Sequence, residues 1–181
     1  MSAARARRPL LVVDGYNVIF KTSRYTGLVD DAPADGDPFS SARELLVADV
    51  AAYAQHRFDP VIVFDAAGNV SPERPNPVRG GVRTIFSETG ESADTVIERL
   101  VTEARLENRD VTVVTSDNTI RATVGGIPVT RIGSSALVAD IVVGAAEAAR
   151  ANEERQHQRM TVADRLDPET RARIDRMLGR R

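Results

Sequence analysis

Short apolar segments alternating with amphipathic helical ones predict a three-layer α/β fold. Its centre is a mostly parallel sheet of about five strands, and a helical tail follows. Two observations carry this. The strand-like segments lack polar alternation, as strands covered on both faces do. Helix-length spacers separate most of them, as right-handed βαβ crossovers require. The 181 residues suffice for one such domain and a short appendage.

The predicted strands are Leu10–Val13, Val61–Phe64, Val82–Phe86, Val111–Thr115 and Ile127–Thr130. The first helix starts at Pro38 behind Asp37, an N-cap followed by a favoured first-turn proline. It sets Ala42, Leu45, Leu46, Val50 and Tyr53 on one face. The next runs from Ser92 to Leu106, with Ala93, Ile97, Leu100, Val101 and Ala104 inward. A shorter helix follows Asp117, and another begins at Ser134 or Ser135 and continues through Ala149. Arg24–Asp37 reads as an acidic loop. Ala66–Gly81, with Pro72, Pro75, Pro77 and Gly80–Gly81, reads as a second. The polar stretch Asn152–Gln158 closes the packed domain, dividing the chain into 1–150 and a basic helical tail, 151–181. In that tail, Asp167–Pro168–Glu169 opens a last helix with Ile174, Met177 and Leu178 on one side.

Composition excludes several chemistries. There is no cysteine, so disulfides, thiolate nucleophiles and cysteine-ligated metals are out. His56 and His157 lie far apart and read as solvated. Any bound metal would therefore take mostly oxygen ligands, which favours Mg²⁺ or Mn²⁺ over zinc. No apolar run approaches a membrane span or a signal-peptide core, so the expected compartment is the cytoplasm. The net charge is −2, unevenly spread: residues 150–181 hold nine arginines and six acids, a balance of +3. Lys21 is the sole lysine.

The informative residues are acids placed where strands stop. Asp14 follows Leu10–Val13, Asp65 follows Val61–Phe64, and Asp117 follows Val111–Thr115 with one serine between. Asp94 falls in the first turn of its helix, beside Glu91. In an open parallel sheet the carboxyl ends of the strands line one crevice, so four segments deliver carboxylates to it. Each acid alone could be a helix cap or a first-turn residue. Gathered together, they repel one another unless a cation offsets them. A divalent ion on oxygen ligands can acidify bound water and stabilise charge on a phosphoryl oxygen, which is phosphodiester hydrolysis without a protein nucleophile.

Five motifs in order then resemble one family. Val12-Val13-Asp14-Gly15-Tyr16-Asn17-Val18-Ile19 resembles the opening strand of NYN-domain nucleases, in particular their bacterial YacP-like branch. Ala42-Arg43-Glu44-Leu45, Val61-Ile62-Val63-Phe64-Asp65-Ala66, Val82-Arg83-Thr84-Ile85-Phe86-Ser87 with Glu91-Ser92-Ala93-Asp94, and Val113-Val114-Thr115-Ser116-Asp117 continue the resemblance. It implies a PIN-like fold and metal-dependent endoribonuclease activity with Mg²⁺ or Mn²⁺. It implies metal-site carboxylates at Asp14, Asp94 and Asp117, with Asp65 beside them. Asn17 would bind the scissile region or orient Asp14. Ser116 would contact phosphate or cap a helix. Arg43 would face substrate or pair with a carboxylate. The implied partner is RNA, with messenger RNA on the ribosome as one form. The chain departs from the family at Ser134-Ser135-Ala136, where an arginine and a glutamate are usual. It also departs after Asp117, where Arg121 could serve the RNA backbone in place of a glutamine.

A non-catalytic RNA- or ribosome-binding protein on the same fold is the alternative. A haloacid-dehalogenase-type phosphatase fits poorly, because Tyr16 stands where its second aspartate belongs. A phosphorylated receiver domain lacks its lysine, and a dinucleotide site lacks its glycine fingerprint.

Overall fold

The computed structural model describes residues 7–66, 78–116, 129–165 and 168–177. Its elements are β1 (Leu10–Asp14), α1 (Gly15–Lys21), α2 (Ser23–Asp30), α3 (Ser40–Ala54), β2 (Asp59–Phe64), β3 (Val78–Arg79), β4 (Val82–Phe86), α4 (Ala93–Leu106), β5 (Val111–Val114), β6 (Thr130–Ile132), α5 (Ser134–Arg165) and α6 (Pro168–Met177). The six strands form one sheet in the order β3-β4-β2-β1-β5-β6. All neighbours are parallel except β3 and β4.

The sheet is the middle of three layers, and strand alternation sorts its side chains between two cores. Leu11, Val13, Ile62, Phe64, Val82 and Val114 face a core shared with α1, α3 and the start of α5. Leu10, Val12, Val61, Val63, Val111 and Val113 face α4, which contributes Ala93, Val96, Ile97, Leu100, Val101 and Ala104. Each fully buried aliphatic side chain here contributes about 1.5–3 kcal/mol relative to exposure. The two covered faces explain why the strands read as unbroken apolar runs.

Several sequence expectations change; the helix expected from Pro38 starts at Ser40, because Asp37 accepts the Phe39 N–H in a preceding turn. The Gly80–Gly81 pair, read as loop, is the turn of a β3–β4 hairpin. Its φ values of +58° and +80° suit glycine in a two-residue turn, and β3 raises the strand count to six. The last strand is Thr130–Ile132, shifted from Ile127–Thr130; Ile127 and Pro128 lie outside the described residues. The acidic stretch from Arg24 contains α2, which tertiary contacts hold. Tyr25 is fully buried and donates its hydroxyl to Asp49 of α3 at 2.9 Å, and Arg24 reaches the same carboxylate at 2.7 Å. Gly27 and two β-branched residues weaken this helix locally, so propensity alone hides it. The short helix expected after Asp117 lies outside the described residues.

The chain divides into two compact units, Met1–Ile141 and Val142–Arg181, and the division falls within α5. In the second unit α5 continues through the polar stretch to Arg165, and α6 forms at the predicted cap signal. Residues 142–157 are exposed throughout, as are Ile174 and Met177. Among the described residues no helix is long and apolar enough to cross a membrane.

Candidate active site

The strand order fixes where a ligand belongs. From β1 the sheet extends through β2 and β4 on one side and through β5 and β6 on the other, so winding reverses between β1 and β5. The carboxyl ends of those two strands open the crevice in which doubly wound sheets bind ligands. Asp14, the last residue of β1, stands there, only 9% exposed. One carboxylate oxygen accepts the Asn17 N–H at 3.2 Å and so caps α1; the other accepts the Thr115 hydroxyl at 3.4 Å. Gly15 makes the tight exit from β1 possible. A Cβ at that position would lie 2.3 Å from the Phe64 ring, so the strand can turn into α1 only over a bare backbone.

Asp65 follows β2, the strand neighbouring β1, and lies two residues past Val63, the register partner of Asp14. Its carboxylate accepts the Ala93 N–H at 3.4 Å, tying the end of β2 to the first turn of α4. Asp94 occupies that first turn, half-buried, behind the Ser92 cap on Thr95. Glu91 turns to Arg99 at 2.5 Å. That hydrogen bond holds its carboxyl below the ordinary value, and the half-buried residue acts as an ion-pair partner at the helix start. Asp117 and Arg121 lie outside the described residues.

Asn17 is a junction. Its side-chain oxygen accepts the Ser116 N–H at 2.9 Å and the Ser134 hydroxyl at 2.7 Å. Ser116 in turn accepts the Ser134 N–H on its hydroxyl at 3.2 Å, which satisfies a backbone donor at the start of α5. One asparagine thereby pins α1, the end of β5 and the start of α5 together, and its own backbone N–H orients Asp14. Ser134 is fully buried, and nothing in a Gly-Ser-Ser helix start distinguishes it from an ordinary cap.

Arg43 takes the carboxylate-pairing role. Its guanidinium grips Asp37, donates to the Tyr16 hydroxyl at 3.2 Å and lies 5.8 Å from the Phe86 ring and 6.0 Å from Phe64. The side chain is 13% exposed. Burial is the largest single influence on both Arg43 and Asp37 and works against their charge; their mutual hydrogen bond and attraction, with the Phe39 N–H on Asp37 and Tyr16 beside Arg43, together outweigh it, so the Asp37 carboxyl is lowered and the Arg43 guanidinium raised. Burial raises the Tyr16 hydroxyl above its ordinary value more strongly than Arg43 lowers it. Tyr16 also packs edge-on to Phe39 and Phe64. Among the other basic residues, Arg79 lies 3.8 Å from Glu44, and Arg83, Arg173 and Arg176 are exposed.

The donor chemistry at this edge suits a hard divalent cation, because Asp14, Asp65 and Asp94 supply oxygen alone. Among the described residues no three acidic or histidine side chains close into a metal-holding group.

The model of the YacP-like NYN domain family matches residues 11–179. The structure is similar to the crystal structure of Rae1 (YacP) from Bacillus subtilis, with 23% identity, a TM-score of 0.69 and 94% of each chain covered. It is also similar to the crystal structure of a point mutant of that Bacillus subtilis protein, with 24% identity, a TM-score of 0.65, and 93% of this chain and 99% of that one covered. At these identities the likeness is one of fold. No curated protein matches the sequence.

Proposed function

Since the chain belongs to the YacP-like NYN domain family, whose function is nuclease-like and RNA-related, we propose that it is a metal-dependent endoribonuclease. The observation that carries this reading is the pair Asp14, ending β1, and Asp65, just past the end of the adjacent β2, at the carboxyl edge, with Asp65 bonded to the turn that bears Asp94. Asp14, Asp94 and Asp117 would hold Mg²⁺ or Mn²⁺, with Asp65 beside them. Bound there, the ion would supply an acidified water and stabilise charge on a phosphoryl oxygen.

The chain's own part is positioning. Asn17 N–H and the Thr115 hydroxyl each take one oxygen of Asp14, which fixes the carboxylate rotamer in advance. Asn17 and Ser134 hold the β1–β5 crevice at constant width. The Ser116 hydroxyl accepts from Ser134 N–H, a contact that suits a brace rather than a nucleophile. Arg43, through Tyr16, stiffens the segment after Asp14 and supports substrate binding from behind; Arg121 is the candidate for direct backbone contact. RNA is the substrate, messenger RNA on the ribosome is one form it could take, and the cytoplasm is where the reaction would run.

The second reading, a non-catalytic RNA- or ribosome-binding protein, draws on the open acid group among the described residues. One experiment separates the two. The purified chain with Mg²⁺ or Mn²⁺ should cleave single-stranded RNA and stop in EDTA. Intact RNA under every divalent condition, with binding retained, would favour the second reading. Cleavage undiminished by verified metal removal would sink the metal site.

A further inference from the structure

Phe20 is a large apolar side chain set beside a rigid aromatic cluster, yet it is 59% exposed. It lies on α1 four residues after Tyr16 and therefore on the same helix face. Its ring stands 6.0 Å from Tyr16 and 5.6 Å, edge-on, from Phe39. Tyr16 is in turn fixed by Arg43 and by Phe64, so the Phe20 ring has a firm backing and an open side. Lys21, the only lysine of the chain, follows it immediately and is exposed. Phe20 stands six positions after Asp14, about 9 Å of helix rise.

An isolated exposed phenylalanine is ordinary, and a lysine in a last turn can simply complement its helix. Their combination has more specific chemistry. A rigid π-face next to a flexible cation, one short helix away from a crevice of carboxylates, matches one nucleotide of a single strand: the base on the ring, its phosphate on the ammonium. A base paired inside a duplex cannot reach such a ring. We propose that Phe20 is a nucleobase-stacking platform for a single RNA strand and Lys21 its phosphate contact. This inference rests on the ribonuclease reading and assigns two substrate-contacting residues to it.

The test is binding of a fluorescently labelled single-stranded RNA to the full chain, in an Asp14→Asn background with Mg²⁺ so that the RNA stays intact. Phe20→Ala should weaken binding roughly tenfold. Phe20→Leu, which keeps apolar bulk and lacks the π-face, should weaken it nearly as much. Phe20→Tyr should stay within about twofold of the parent. Lys21→Gln should flatten the salt dependence by about 0.7 on a log–log plot, and Phe20→Ala should leave that slope alone. If Phe20→Leu binds like the parent, the ring is packing and not a platform. If Phe20→Ala binds like the parent, the inference falls while the ribonuclease reading stands. If the parent binds no single-stranded RNA, both fall.

Discussion

At the amino edge of the sheet, Asp59 meets Arg109 at 2.7 Å and Glu107 meets Arg7 at 2.5 Å. Arg109 also donates to the Arg8 carbonyl at 2.7 Å, closing the space between the starts of β1 and β2. At the carboxyl edge, Asp14 accepts from an N–H and a hydroxyl, and Asp65 from an N–H. Both edges hold acids, and the contacts differ in what they do. A guanidinium neutralises a carboxylate and completes a local structure. A backbone N–H or a hydroxyl fixes the orientation of a carboxylate. The amino edge thus holds the strand starts together, and the contacts at the carboxyl edge orient Asp14 and Asp65.

Substitutions should separate the two edges, starting with the largest effect. Asp14→Asn keeps an oxygen for the Asn17 N–H and removes the charge. RNA cleavage in Mg²⁺ should fall by at least about a hundredfold, more than the loss usual for an outer-shell partner. Melting temperature without metal should hold or rise, since repulsion among the acids drops. Near-normal turnover would remove Asp14 from the site. Gly15→Ala drives a methyl group into Phe64 and should destabilise by about 1–3 kcal/mol while displacing Asp14. Differential scanning calorimetry beside a cleavage assay would show both effects, and an unchanged melting point would mean that Phe64 yields freely.

Asn17→Ala strands the Ser134 hydroxyl and the Ser116 N–H. The expected cost is about 1–3 kcal/mol, or several degrees of melting temperature. Activity should fall as well, because the crevice loses its brace. A stable variant with full activity would show that water replaces the amide at no cost. At the other edge, Arg109→Ala should cost about 1 kcal/mol, since Asp59 is largely exposed, and should leave RNA cleavage untouched. A large drop in cleavage there would erase the contrast between the edges.

The smallest effect is in acid. Arg43 holds the Asp37 carboxyl below its unfolded value, so this pair stabilises the fold fully above that value. Its contribution is lost as pH falls through the lower, folded value. Asp37→Asn should therefore flatten stability against pH below about pH 4, the ordinary carboxylate range, and change nothing near neutrality beyond a constant offset. An acid limb identical to that of the parent would show that the ion pair carries no linkage.

The sequence displays the carboxyl edge more clearly than its scaffolding. Asp14, Asp65 and Asp94 are legible because each stands at a change of periodicity, from an apolar strand to a turn or from a turn to a helix. The braces are not. Ser134 and Thr115 act across separations of 117 and 101 residues, which no local pattern encodes. Arg43 could be read as substrate-facing or carboxylate-pairing, and only its position beside Phe64 and Phe86 settles that its guanidinium serves Asp37 and Tyr16. Among the helices, α3 and α4 are plain because each carries a full apolar face. In contrast α2 depends on one buried tyrosine reaching Asp49, and β3 on two glycines that also suit an open loop.

The central claim, that the carboxyl edge holds a catalytic divalent cation, is tested most directly by crystals of the full chain soaked in Mn²⁺ and measured at the manganese absorption edge. The account predicts an anomalous peak within bonding distance of Asp14 and of at least one of Asp94, Asp117 or Asp65, and no such peak in Asp14→Asn crystals. A protein that cleaves RNA in Mn²⁺ yet shows its ordered manganese away from Asp14 would contradict it.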